Sequence, residues 1–266
     1  MKIGYSKIFI SFMIMGLFLL FPLESGNTIN MVGSTSVQPI CEELATEYKK
    51  THGDVDINVQ GGGSGLGIRC ADNCLADIGM SSKNVSEDNL IEYQIGSEGI
   101  AVVVHPTNPV SDLSTNQIKD IFSGNISDWS EVSNRGGKIN VIVREEGSGT
   151  LDAFKDSIMN ASEIRDDAIV QNSAGAVKQS IVQDKNAVGF VSLTHLDDDL
   201  NDVRIDGVKI SSKSILDGSY KLQRPFILLT NKTPDKSTLD FIEWTLSNES
   251  SEIFEKEKII KIDGNV

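Results

Sequence analysis

Four segments of the sequence combine serine, threonine and glycine directly after a short apolar run. They are GSTSVQP (Gly33–Pro39), GGGSGLG (Gly61–Gly67), GMSSKNVS (Gly79–Ser86) and REEGSGT (Arg144–Thr150). The N–H groups in the first turn of a helix have no partners within the helix and carry the positive end of its dipole. Hydroxyl groups add donors, and glycine lets the backbone approach a ligand closely. One such loop is weak evidence, because serine and threonine are ordinary helix caps, but four in one chain favour an anion site.

The fourth segment also contains an arginine. Arg144 ends the apolar run INVIV and precedes two glutamates and the turn Gly-Ser-Gly-Thr. A guanidinium presents a planar fork of donors that suits a tetrahedral oxyanion, and one of the two glutamates could orient it from behind. The alternative is a surface arginine paired with Glu145 or Glu146. Its place at the end of an apolar strand argues against full exposure.

Enzymatic alternatives find less support. The glycine-rich segment lacks the Gly-Lys-Ser/Thr ending of a P-loop, and no Gly-x-Ser-x-Gly elbow surrounds Ser36, Ser64, Ser82 or Ser148. The histidines, His52, His105 and His195, do not recur in a motif with a nucleophile. We interpret them as structural or exposed. A chain with many donors and no evident general base is interpreted as a binding protein rather than an enzyme.

Composition limits the partners. The chain has 266 residues and a net charge of -14, which disfavours nucleic acid and anionic membrane surfaces. If the ligand is an anion, the overall field repels it, so affinity must come from local dipoles and hydrogen bonds.

The N-terminus has the pattern of an export signal. Lys2 and Lys7 precede the apolar run Ile8–Phe21, which is short for a membrane span and typical of the apolar part of a signal peptide. We predict a signal peptide over residues 1–26 and a mature chain outside the cytoplasm, in the periplasm or at the outer face of the membrane. An uncleaved anchor and a buried core helix remain as alternatives.

Three cysteines, Cys41, Cys70 and Cys74, predict one disulfide and one free thiol in an oxidising compartment. Three pairings are possible. Because no histidine lies near the Cys-x3-Cys pair, we expect no metal site.

Apolar runs alternate with amphipathic stretches along the chain. In SVQPICEELATEYKK, the side chains of Ile40, Leu44 and Tyr48 recur at helical spacing. STNQIKDIF predicts a helix capped by Ser114. This alternation indicates an α/β fold with largely parallel sheets, and there are more units than a single regular sheet would hold.

Several of these segments together resemble one family. GSTSVQPI, DIGMSSK, DLSTNQIKDIFSGNISDW, VREEGSGTLDAF, NAVGFVSL and YKLQRPFILLTN are similar, in family order, to the landmarks of the phosphate-binding proteins that feed ABC phosphate importers. The resemblance implies a type II periplasmic-binding fold, in which two α/β lobes enclose a ligand cleft. Lobe one would comprise 27–103 and 226–266, and lobe two 104–225. The chain would cross near Val103–Val104 and Arg224–Pro225.

The resemblance also implies the ligand and its contacts. Phosphate would be bound by loop residues that match the family's: Ser36, Val37 (backbone), Ser64, Ser82, Arg144, Ser148, Gly149 (backbone) and Thr150. Many members have an aspartate where this chain has Ser82, so selectivity over sulfate is less secure. Other tetrahedral oxyanions (sulfate, molybdate, tungstate) and a secreted phosphate-ester hydrolase are the alternatives. We expect a monomer without a cofactor whose partners are inorganic phosphate and the permease subunits of an ABC importer, and no nucleic acid.

Overall fold

The computed structural model describes residues 27–85 and 87–262. The predicted signal peptide therefore lies outside the described residues. Within them, no helix combines the length and the apolar character that crossing a membrane requires. The strands are β1 (Asn27–Gly33), β2 (Val55–Gly61), β3 (Ile78–Ser81), β4 (Leu90–Val104), β5 (Asp112–Leu113), β6 (Asn140–Arg144), β7 (Ile169–Gln171), β8 (Ala187–Ser192), β9 (Asn201–Asp202), β10 (Arg204–Ile205), β11 (Gln223–Asn231) and β12 (Ile260–Lys261). The α-helices are α1 (Gln38–Thr51), α2 (Ser64–Asp72), α3 (Thr115–Ser123), α4 (Gly149–Phe154), α5 (Ala174–Gln183), α6 (Ser212–Leu216), α7 (Lys236–Leu246) and α8 (Ser251–Lys256).

The main sheet has the strand order β2-β1-β3-β11-β4-β8-β6-β7. The three strands at one end and the three at the other pair in parallel, as predicted. The two long strands in the middle, β4 and β11, pair antiparallel with each other and with their neighbours. The sheet is therefore mixed rather than largely parallel, and it is continuous because these two strands join its halves.

The apolar side chains form two main clusters that follow the two halves of the sheet. One cluster contains buried residues between Ile100 and Leu222. The other combines residues from Ile29 to Ile95 with residues from Phe226 to Ile259. Along β4 and along β11, the buried side chains pass from one cluster to the other, so these two strands connect the two halves of the hydrophobic core.

Local sequence signals account for most of the helices. In α1, Ile40, Leu44 and Tyr48 are buried on one face, as their spacing predicted. Ser114 caps α3 with a complete capping box, in which its hydroxyl accepts from the N–H of Gln117. The segment after Ser148 begins as α4 and continues as a π-helical turn over Lys155–Met159.

The predicted disulfide is wrong, because the structure has all three cysteines as free thiols. Cys41 is fully buried on the core face of α1. Cys70 lies in α2, and Cys74 is exposed in the turn that follows it. Burial raises the pKa of the Cys41 thiol, so this side chain stays neutral and packs as a small apolar group.

Candidate functional site: a buried cluster of hydrogen-bond donors

The first three donor-rich loops meet because their strands end in register. Gly33 of β1 pairs with Gly61 of β2 and with Met80 of β3. Parallel strands that end together place the loops at their carboxyl ends side by side, which is where α/β sheets generally form ligand sites. The fourth loop follows β6, a parallel strand in the other half of the sheet.

Serine and threonine hydroxyls from all four loops form one buried cluster. The Ser82 Oγ lies 3.1 Å from the Ser34 Oγ, which donates to it, and 3.1 Å from the Ser64 Oγ. The Ser36 Oγ lies 3.3 Å from the Thr150 Oγ1. Each of these five side chains is at most 3% exposed. Buried hydroxyls normally satisfy one another or a ligand, and this cluster could present several donors to one small anion.

The start of α4 supplies backbone donors. Ser148 is the N-cap, and its hydroxyl accepts from the N–H of Leu151 at 3.4 Å. The N–H groups of Gly149 and Thr150 donate to no other described residue, as expected of the first positions of a helix. Gly149 and Thr150 are both buried, so these two donors face the interior of the protein.

Arg144 is buried, with a side chain only 2% exposed. Its Nε and Nη2 donate to the two carboxylate oxygens of Glu145, each at 2.9 Å. The other glutamate, Glu146, contacts Lys155 instead, at 2.7 Å. Arg144 is therefore not a surface arginine, and Glu145 is the glutamate that orients it. The Nη1 group donates to no side chain of the described chain, which leaves that edge of the fork available to a ligand.

A second buried arginine was not identified from the sequence. Arg224 of β11 faces Glu98 of β4 directly across the antiparallel pair. Its Nη2 and Nε lie 2.5 and 3.2 Å from the Glu98 Oε1. Its Nη1 donates to the Ser82 hydroxyl at 3.3 Å and to the Thr150 hydroxyl. The signal in the sequence is a charged residue directly before each of two apolar runs, in EGIAVVV and RPFILL, a pattern that indicates a buried charge in need of a partner without naming the partner.

The polar network continues behind this ion pair. The Ser192 hydroxyl donates to Glu98 and lies 2.8 Å from the Thr194 hydroxyl, which in turn lies 3.1 Å from the His195 Nδ1. Burial raises the pKa of the Glu98 carboxyl, whereas the positive charge of Arg224 and the Ser192 hydroxyl lower it. We assign the pair as carboxylate and guanidinium, because each charge has the other at hydrogen-bond distance.

His195 makes the stability of the fold depend on pH. Burial, followed by the charges of Arg224 and Arg144, lowers the pKa of this imidazole to about 4 from an ordinary value near 6.5. Between these two values the unfolded chain binds more protons than the folded one, so the free energy of unfolding falls as the pH drops through this window. Through His195, the free energy of unfolding should be about 2–3 kcal/mol lower at pH 4.5 than at pH 7.

Urea unfolding of the parent and of His195→Gln at pH 4.5 and 7 tests this expectation. Between pH 7 and pH 4.5, the free energy of unfolding of His195→Gln should fall by about 2–3 kcal/mol less than that of the parent. His52→Gln is the control, because His52 stacks on Tyr48 and lies outside the network. Equal losses in the parent and in His195→Gln would contradict the assignment.

Most of the predicted site residues come together. Ser36, Ser64, Ser82 and Thr150 share the hydroxyl cluster, and Ser148 and Gly149 begin the adjoining helix. Val37 differs, because its N–H already donates to the carbonyl oxygen of Ser34 at 3.1 Å and its side chain lies in the core. Among the described residues, no group of acidic, histidine or cysteine side chains could hold a metal ion.

Comparison with known proteins shows to which family this chain is similar. The sequence model described as the PBP superfamily domain matches residues 23–249. The phosphate-binding protein PstS of Bacillus subtilis (strain 168) is 29% identical over 206 residues, which cover 75% of this chain and 68% of that protein. PstS of Borreliella burgdorferi is 24% identical and covers 90% of this chain and 91% of that protein.

Solved structures that resemble this chain come from the same family. A Clostridium perfringens protein, described as a phosphate ABC transporter substrate-binding protein and crystallised with bound phosphate, is 36% identical with a TM-score of 0.86. The match covers 89% of this chain and all of that one. An ABC-type phosphate transport receptor from Vibrio cholerae is 30% identical with a TM-score of 0.72, and the match covers 88% of this chain and all of that one. The fold is accordingly the two-lobed α/β type II periplasmic-binding fold that the sequence predicted. This chain belongs to the PBP superfamily and, within it, to the substrate-binding proteins of phosphate ABC transporters.

Proposed function

We propose that this protein captures inorganic phosphate outside the cytoplasm and delivers it to the permease subunits of an ABC importer. The observation that carries the proposal is the buried donor cluster, in which hydroxyls of four loops meet the Arg224 guanidinium beside the start of α4. The proposed phosphate ligands are Ser36, Ser64, Ser82, Arg144, Ser148, Gly149 and Thr150; Val37 is left out, because its N–H donates to the Ser34 carbonyl oxygen. We further propose that the chain is exported by its N-terminal signal and acts as a monomer without enzymatic activity.

The proposed lobes are 27–103 with 226–266, and 104–225. Both proposed crossovers, Val103–Val104 and Arg224–Pro225, lie on the two long strands that join the hydrophobic clusters. At the start of β11 the clusters change between Leu222 and Phe226, next to the proposed crossover. On β4 they change between Ile95 and Ile100, a few residues before it.

A second candidate ligand is sulfate, and the observation that favours it is Ser82. A carboxylate at this position would repel a fully ionised anion and accept the proton of hydrogen phosphate, whereas a hydroxyl does not repel either anion. A phosphate-ester hydrolase is less well supported. The Ser148 hydroxyl accepts from a backbone N–H and touches no histidine or carboxylate in the described chain, so nothing there activates it as a nucleophile.

Calorimetry on refolded, ligand-stripped protein tests the proposed function. We expect saturable binding of phosphate at one site, with weaker binding of sulfate. Tight sulfate binding without a response to phosphate would show that the ligand is sulfate and not phosphate. Turnover of a phosphate ester that is lost in Ser148→Ala would support the hydrolase instead.

Phosphate should also change the shape of the protein. Contacts link loops of the two proposed lobes: the Gly65 N–H donates to the Gly147 carbonyl at 3.1 Å, and Lys83 pairs with Asp152 at 2.7 Å. These loops line the proposed ligand site, so a bound phosphate should favour the form in which they touch. We expect small-angle scattering to show a smaller radius of gyration with phosphate than without it. An identical radius in both states would contradict closure on the ligand.

A further inference from the structure

Arg224 reaches both sides of the donor cluster. The Ser82 hydroxyl follows β3, and the Thr150 hydroxyl belongs to α4, yet the same guanidinium nitrogen, Nη1, donates to both. The other two nitrogens are occupied by Glu98. The side chain is 1% exposed. The guanidinium is therefore held on one edge by a carboxylate and directed on the other into the proposed phosphate site.

A purely structural role explains this arrangement poorly. Removing two charges from water is costly, and a buried ion pair often contributes little net stability compared with apolar side chains of similar size. The pairing of β4 with β11 does not depend on it, because the ladder runs on from Gln223 opposite Gly99 to Asn231 opposite Leu90. In addition, Nη1 finds only neutral hydroxyls here, although a guanidinium donates most strongly to an anion.

The hydrogen bonds of Arg224 also set the direction of the neighbouring hydroxyls. A hydroxyl has one proton and can accept two hydrogen bonds. The Ser82 Oγ accepts from Arg224 and from the Ser34 hydroxyl, so its own proton is donated to the Ser64 Oγ, 3.1 Å away, or to a bound ligand. The Thr150 Oγ1 likewise accepts from Arg224. With Arg224 filling an acceptor position on each, both hydroxyls can donate their protons to a bound oxyanion.

We propose that Arg224 is a second cationic ligand of the bound oxyanion, anchored by Glu98, and that it orients the Ser82 and Thr150 hydroxyls toward that ligand. The inference rests on the proposed function. In the site, Arg144 is balanced by Glu145 and Arg224 by Glu98. The protein can then bind an anion through many oriented donors without a net positive site, in keeping with its acidic composition.

The test is the double variant Glu98→Gln/Arg224→Gln, titrated with inorganic phosphate by calorimetry. The double change is needed because Arg224→Gln alone would leave the Glu98 charge buried and unpaired, which is strongly destabilising. The double variant keeps the net charge and the approximate volume. We expect it to melt near the parent temperature without phosphate and to bind phosphate about tenfold to a hundredfold more weakly, as for the loss of a charge-assisted contact.

A matched control removes an ion pair elsewhere. Lys49→Gln/Asp56→Asn also keeps the net charge, and its two side chains are more than half exposed on α1 and β2. Its phosphate affinity should equal that of the parent. A folded Glu98→Gln/Arg224→Gln protein that binds within about threefold of the parent would show that Arg224 is only structural.

Two further measurements complete the test. If the double variant does not fold, Arg224→Lys is the variant to titrate. It keeps the positive charge, but an ammonium group lacks the planar fork that reaches Glu98 and both hydroxyls at once. It should bind phosphate at least about tenfold more weakly, and parent-like affinity would overturn the proposal. The parent titration separates the two hypotheses: a parent that does not bind phosphate contradicts the proposed function, whereas equal binding by parent and variant contradicts only the role of Arg224.

Discussion

Arg144→Ala should weaken phosphate binding by at least about tenfold and by up to about a thousandfold. A charge-assisted hydrogen bond contributes about 1.5–3 kcal/mol, and about 1.4 kcal/mol corresponds to one decade in affinity. Glu145 occupies Nε and one proton of Nη2, so the Nη1–Nη2 edge remains for two phosphate oxygens. The variant would lose both contacts and leave the Glu145 carboxylate without its partner next to the anion.

Two companion variants sharpen this test. Arg144→Lys should recover only part of the affinity, because an ammonium group lacks the planar fork. Arg204→Ala is the control, since Arg204 is exposed on β10 and its removal lowers the charge of the protein by the same amount. The loss in Arg144→Ala should persist at high salt, because a buried contact is screened far less than an exposed one. If Arg144→Ala bound phosphate as tightly as the parent, the proposed site would be misplaced.

Gly149→Ala should weaken phosphate binding by about fivefold to a hundredfold. A Cβ atom on Gly149 would lie 2.5 Å from the Ser82 Oγ and 2.7 Å from the Ser82 carbonyl carbon and oxygen. Overpacking of this kind costs about 1–3 kcal/mol. The clash arises only where the loop after β3 and the start of α4 touch, so it should act on the closed, ligand-bound form and spare the stability of an open one. Calorimetry with phosphate, together with a thermal melt without it, measures the two effects separately.

Gly175→Ala is the matched control for this variant. Gly175 also lies at the start of a helix, α5, and a Cβ added there would meet no atom within 4 Å. Alanine is favoured over glycine in a helix, so this variant should keep its phosphate affinity and its stability. Equal phosphate binding by Gly149→Ala and Gly175→Ala would show that the contact with Ser82 is not needed in the bound state.

The sequence by itself determined the class of the fold and the chemistry of the site. The alternation of apolar runs with helices such as the one containing Ile40 and Leu44 predicted an α/β protein, because periodicity reflects which faces must be buried. Serines at strand ends, with Arg144 beside a helix start, predicted an anion site, because these groups are donors whatever their neighbours are. These inferences rest on local properties of the chain.

Only the tertiary structure decided which residues face one another. Arg224 lies far from Glu98 in the sequence, and their pairing depends on the antiparallel register of β4 and β11, which no local pattern encodes. The choice of Glu145 over Glu146 as the partner of Arg144 depends on side-chain direction at the end of β6. The same limit explains the wrong disulfide prediction, because thiol pairing requires spatial proximity that counting Cys41, Cys70 and Cys74 cannot supply.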